Sequence, residues 1–148
     1  MNLENLYDMV DKENIKLYDR YIDNAYGAFI HINDINAIIM NFKEIDSTAI
    51  EKATLAEELG HYYMDATYPF SCTDKTLIAK QEYRAKKWQF KALVSAKELS
   101  ILAKKGYRYI SEFAEELSVP EEIVERAYTY YKENGMLNTD DKMLDESI

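Results

Sequence analysis

Between Ile15 and Asn41 the apolar residues come in short β-rich runs cut by turn signals, and from Asp46 onward they recur at helical spacing. That change of period confines any sheet to the first third of the chain and makes the rest helical. The runs are Ile15, Leu17, Tyr18, Tyr21 and Ile22, then Ala28-Phe-Ile-His-Ile32, then Ala37-Ile-Ile-Met40. Asp23-Asn24, Gly27 and Asn33-Asp34 separate them, so three short strands are expected. Leu3, Leu6, Tyr7 and Val10 predict a short amphipathic helix over residues 2–12. After the strands, Thr48 and Glu51 stand three apart as a capping box, opening a helix that runs to about Met64 or Asp65. Thr67 to Thr76, with Pro69, Ser71 and Asp74, reads as a crossing loop. A second long helix covers about Leu77 to Lys104, with Leu93-Val-Ser95 as a candidate interruption. Beyond Gly106, two amphipathic helices carry Ile110, Phe113, Ala114 and Leu117, then Ile123, Val124, Ala127, Tyr128 and Tyr131. Pro120 suits a first helical position between them, and Gly135 marks the end.

The expected architecture is α+β: a small mixed or antiparallel sheet packed on the helix beginning near Thr48 and on the helix after the loop, closed by a C-terminal helical pair. We divide the chain into a main part over residues 1–104, a small helical part over 105–135 and a polar, acidic tail over 136–148 that is expected to be disordered. A chain of 148 residues with 47% hydrophobic residues has the apolar material for one domain with a small appendage. Its 27 acidic against 18 basic residues leave a formal charge of −9, which disfavours broad nucleic-acid affinity. The start Met-Asn-Leu-Glu-Asn-Leu lacks the basic and apolar regions of a signal peptide. No apolar run approaches the roughly 20 residues of a membrane span. A cytoplasmic protein without membrane contact is expected. Cys72 stands alone, without a nucleophile context, and His31 and His61 are the two histidines. A three-histidine metal site within one chain is thereby excluded.

The stretch Thr54-Leu-Ala-Glu-Glu-Leu-Gly-His61 concentrates the chemistry. Glu57 and His61, four apart, lie about 40° apart around a helix axis, and Glu58 sits on the neighbouring flank, where a general base would stand beside a metal-activated water. The spacing is that of the His-Glu-x-x-His metallohydrolase helix with its first histidine replaced, reading Glu-Glu-x-x-His. The same residues also fit a solvated acidic face ending in one histidine favoured by the helix C-terminal dipole. Glu82 likewise fits a charged surface, opposite Lys86 at i and i+4.

Leu55-Ala-Glu-Glu-Leu-Gly-His-Tyr-Tyr63 resembles the ImmA/IrrE family of zinc metallo-endopeptidases, many of them encoded by phages and mobile elements beside a repressor gene. The strand ending Ile39-Met-Asn41 looks like the family's edge strand. Glu82-Tyr-Arg-Ala85, followed by Trp88 and Leu93-Val94, looks like its downstream ligand helix, and Ile110 to Val119 looks like its small C-terminal part. The likeness covers about Ile15 to Tyr131. It implies a zincin-like fold in which His61 and Glu82 are metal ligands, Glu57 occupies the first ligand position and Glu58 activates water. It also implies Zn2+ as cofactor and a specific protein, such as a phage or mobile-element repressor, as substrate. Glu57 is a departure: a carboxylate ligates zinc at about 2.0–2.2 Å but adds negative charge and weakens selectivity for zinc over harder ions. That departure supports an alternative, a catalytically inactive member acting as a protein-binding antirepressor or regulatory module. An acidic DNA mimic without metal is compatible with the charge alone.

His31, in an alternating strand, is read as a surface residue. Tyr62 and Tyr63 are read first as packing residues with one polar handle, with oxyanion stabilisation as the functional alternative. Residues 111–124 have the spacing of repressor helices, but the would-be recognition helix begins Pro120-Glu-Glu and would present carboxylates to phosphates, so direct DNA binding is not expected. Arg84, Lys86, Lys87 and Lys91 form a basic helix surface, solvated by default, that could dock an acidic peptide.

Overall fold

The computed structural model describes residues 1–137; of the tail expected over 136–148, residues 138–148 lie outside them. The chain divides into two compact units, Met1–Gln89 and a second beginning at Phe90. Among the described residues, three strands and six helices appear in the order α1 (Leu3–Lys12), β1 (Lys16–Asp19), β2 (Gly27–Ile32), β3 (Ile35–Met40), α2 (Thr48–Tyr63), α3 (Lys75–Leu93), α4 (Ala96–Lys104), α5 (Ile110–Leu117) and α6 (Glu121–Glu133). The molecule is thus α+β, with its sheet where the change of period put it. Among the described residues, no helix is long and apolar enough to cross a membrane.

The first unit is built on a mixed sheet of order β1-β3-β2, in which β3 pairs parallel with β1 and antiparallel with β2. Asn33 and Asp34 join β2 to β3 with φ of 51° and 62°. Two successive left-handed residues make the tight turn that matches strand twist, and Asn and Asp tolerate that conformation. Ile32 therefore pairs with Ile35, and Ala28, Ile30 and Ile32 turn their backbone groups toward β3. The N–H and C=O of Phe29 and His31 point the other way, off the open edge of the sheet. The first strand is shorter than its apolar run: Tyr21 and Ile22 fall in the β1–β2 connection. The buried Asn41 amide pins that connection, donating to the carbonyls of Ile22 and Ala25 at 2.9 and 3.0 Å.

Helix α2 packs on β2 and β3, and α1 packs on α2 through the buried Leu6 and Val10. Contact with the sheet is close at Gly27, where a Cβ would lie 2.7 Å from Thr54 Cγ2. The N-cap of α2 is Ser47, whose hydroxyl accepts from the Ile50 N–H, so Thr48 does not cap with Glu51. Ser47 is extended and one residue earlier, which leaves Glu51 beyond reach of the cap, and its carboxylate instead accepts from the Tyr7 hydroxyl.

In the second unit the candidate interruption is real. Ser95 ends α3's continuation by capping α4 reciprocally with Glu98, so the stretch to Lys104 is two helices. Pro120 is the N-cap of α6 rather than its first helical residue. The α4–α6 core buries Leu99, Phe113, Ile123 and Val124, and the Tyr131 hydroxyl donates to the Val94 carbonyl at 2.7 Å.

Candidate metal centre

Helix α2 is unusual in what it buries: besides Leu55, Ala56 and Leu59 it takes Glu58 and His61 out of water. It crosses α3 at Gly60, where an added Cβ would collide with the Ala85 backbone. A mid-helix glycine costs about 1 kcal/mol relative to alanine, and close approach of the two backbones is what it permits here. Because His61 follows Gly60 and Glu82 lies one helical turn before Ala85, the crossing brings their side chains together. His61 Nε2 lies 3.6 Å from Glu82 Oε1.

The other imidazole nitrogen is fixed by how α2 ends. Asp65 adopts φ 49°, the Asp65 N–H returns to the Tyr62 carbonyl, and the Ala66 N–H returns to the His61 carbonyl. This is a Schellman turn with aspartate in the left-handed position usually held by glycine. It folds the Ala66 carbonyl back to 2.6 Å from His61 Nδ1. A carbonyl can only accept, so Nδ1 carries the hydrogen, and the Nε2 lone pair faces Glu82 whenever the ring is neutral. Two residues further on, the Tyr68 hydroxyl donates to Glu82 Oε1 at 2.6 Å. One short loop thus orients a ligand-type group on each of two helices.

Glu57 completes the cluster: one donor atom each from Glu57, His61 and Glu82 all lie within 4.8 Å of one another, close enough to hold a metal ion. Bonds of about 2.1 Å at a tetrahedral angle put donors about 3.4 Å apart, near the spacing of His61 and Glu82. Three protein donors of N, O, O type suit zinc, and they also suit harder divalent ions. Glu58 is 7% exposed, and burial, reinforced by Glu57 and Glu82 and opposed by His61, pushes its carboxyl up to about 8. Burial works against a charged His61, but hydrogen bonds to Glu82 and Ala66 and the surrounding carboxylates outweigh it and raise the ring to about 9. Glu82 is held below the usual carboxylate range by its His61 contact and, against partial burial, by the Tyr68 bond.

These groups floor a cleft of about 780 Å3 between the open edge of β2 and the loop after α2. The sequence-derived residues Glu57, Glu58, His61 and Glu82 all meet there. Tyr62 and Tyr63 do not face it as oxyanion donors: both hydroxyls donate to Glu13, at 2.8 and 3.3 Å. His31 is exposed at the cleft border, its Nδ1 2.6 Å from Asn36 Oδ1, and Cys72 is half-buried. Tyr68 and Ala66 were not legible as site residues, since a loop has no period to expose them. Gly60 carried a signal in its helical context. No family model matches the chain, and no curated protein or solved structure matches it, so the chemistry of the site rests on its own geometry.

Proposed function

We propose that the chain is a metal-dependent endopeptidase of ImmA/IrrE type with a zincin-like arrangement of α2 and α3, holding zinc and cutting one specific protein, a phage or mobile-element repressor. The observation that carries this reading is the three-donor cluster with His61 Nδ1 already engaged and a buried carboxylate, Glu58, beside it. A surface cluster of acids has no reason to orient an imidazole or bury a third carboxyl. Glu57, His61 and Glu82 hold the ion, with Tyr68 and the Ala66 carbonyl keeping the last two in place. When bound, the ion polarises the scissile carbonyl, lowers the pKa of water and draws the nearby Glu58 carboxyl toward its ionised form. Glu58 accepts the proton of the attacking water as the new C–O bond forms and delivers it to the leaving amine nitrogen as the C–N bond breaks. The outward backbone groups of Phe29 and His31 offer pairing to an extended polypeptide beside the floor of the cleft.

Glu57 in the first ligand position favours one rival, a chain that binds its partner without cutting it. Elemental analysis of untagged protein, combined with Glu58→Gln, separates the two. The enzyme reading expects near-stoichiometric zinc in both proteins and a loss of cleavage of about 10²–10⁴-fold in the variant. Metal uptake without hydrolysis of any co-expressed repressor leaves the binding protein, and no uptake from excess zinc, manganese or iron sinks the metal centre itself.

A further inference from the structure

Phe70 is the most exposed large apolar residue among the described residues, at 85%, and it stands on the loop wall of the cleft rather than on a random surface. An isolated exposed apolar residue needs no explanation. This one does, because the wall around it is apolar as well: Pro69 precedes it, and Ile30 and Ile32 line the β2 side, Ile32 being itself exposed. The cleft therefore carries an apolar flank above a floor of three carboxyl groups and one imidazole. Its acidic and basic lining is Glu57, Glu58, Glu82, His31 and His61, with no lysine or arginine among the described residues, in a chain of net charge −9. A long-range field of that sign concentrates cationic partners and repels acidic ones.

We infer that the cleft takes an extended, basic polypeptide segment and that Phe70 is a specificity-determining residue, covering one large apolar side chain of that segment. The inference rests on the peptidase reading for the nature of the ligand but not on hydrolysis. An extended chain beside β2 projects alternate side chains to opposite faces, so one residue of the segment turns toward Phe70 while its neighbours, basic in the preferred ligand, stay in the acidic field. Covering a large side chain with an aromatic ring removes apolar surface of both from water, which is the reason for Phe70 to remain exposed in the free chain.

The test uses the full chain in chelator, so that binding is read without cleavage. Fluorescein-labelled nine-residue peptides with lysine at the outer positions carry phenylalanine, alanine or aspartate at the centre, and a fourth replaces the lysines of the phenylalanine peptide by glutamate. Fluorescence anisotropy is expected to show the phenylalanine peptide binding at least tenfold tighter than the alanine one, and the glutamate version weakest. Phe70→Ala, at a position too exposed to disturb the core, should bring the phenylalanine peptide to the level of the alanine peptide and leave the latter unchanged. Equal binding of the two by the parent chain, or an equal loss for both in Phe70→Ala, overturns the inference. So does a concentration-dependent doubling of mass abolished by Phe70→Ala, which would assign the residue to contact between copies. Peptide selectivity without metal-dependent hydrolysis overturns the peptidase reading alone, and hydrolysis of a partner by a chain that shows no such selectivity overturns this inference alone.

Discussion

Helix α2 in the first unit and helix α6 in the second are of similar length and are built on opposite principles. The residues that α6 buries are Ile123, Val124, Ala127 and Tyr131, one apolar stripe at helical spacing, with Glu121, Glu122 and Glu125 in water. Helix α2 is buried over most of its circumference and takes Lys52, Thr54, Glu58 and His61 in with its leucines and alanines. Burying a carboxyl and an imidazole costs several kcal/mol unless partners compensate. A helix serving only to fill a core has no use for them. The difference separates a scaffold helix, whose pattern satisfies its own packing, from a helix whose local rules are broken where chemistry is placed.

Four perturbations sharpen that contrast, and a fifth probes the scaffold side of it. His61→Ala should have the largest effect, abolishing stoichiometric zinc uptake by elemental analysis while circular dichroism stays helical. Retained zinc would move the ligand set elsewhere. Gly60→Ala puts a methyl into the Ala85 backbone, and overpacking of this kind costs about 1–3 kcal/mol. Urea unfolding should show that loss together with weaker metal binding, whereas an unchanged midpoint would mean that the helices are not held at their closest approach. Tyr68→Phe removes only the hydrogen bond to Glu82. A loss of about 10–100-fold in metal affinity is expected, with an altered Co2+ spectrum, and unchanged affinity would reduce Tyr68 to a wall residue.

The pH dependence follows from the raised groups. In the metal-free fold Glu58 at about 8 and His61 at about 9 both lie above their ordinary values of 4.5 and 6.5. Their contributions are complete below those ordinary values and are lost as pH rises through the folded ones. Glu82, lowered, acts oppositely and loses its contribution only as pH falls through its depressed value. The chelated protein should therefore lose thermal stability from about pH 4.5 to 9, first through Glu58 and above pH 6.5 through His61 as well, while the increment added by zinc grows as pH rises toward 9 because His61 must shed a proton to ligate. Melting curves with an increment independent of pH would contradict the assignment of His61. Ser118→Gly should have the smallest effect: Ser118 sits at φ 54° after α5, and glycine relieves that strain by about 1 kcal/mol or less. Destabilisation there would show that the serine hydroxyl matters more than its backbone.

Much of the fold was legible because amphipathic elements announce themselves. The three strands, α1, α5 and α6 follow from period and turn residues, and Asn33-Asp34 marked its hairpin. The start of α2 was misplaced by one residue because Ser47 and Thr48 are both good caps, and sequence cannot tell which of them adopts the extended backbone. Of the site, Glu57, Glu58 and His61 were visible through helical spacing alone, since residues four apart on one helix are neighbours whatever surrounds them.

What the sequence determined by itself was therefore local: where the chain is sheet, where it is helix, and which acids and histidine share a face of α2. The tertiary structure decided which of those residues leave water, that Glu82 from another helix joins them through the Gly60–Ala85 crossing, and that the loop after α2 supplies Ala66 and Tyr68 to orient two of the donors. Those relations depend on backbone approach and on the left-handed turn at Asp65. Neither leaves a periodic trace in a sequence, because contacts between distant segments are set by packing and not by spacing along the chain.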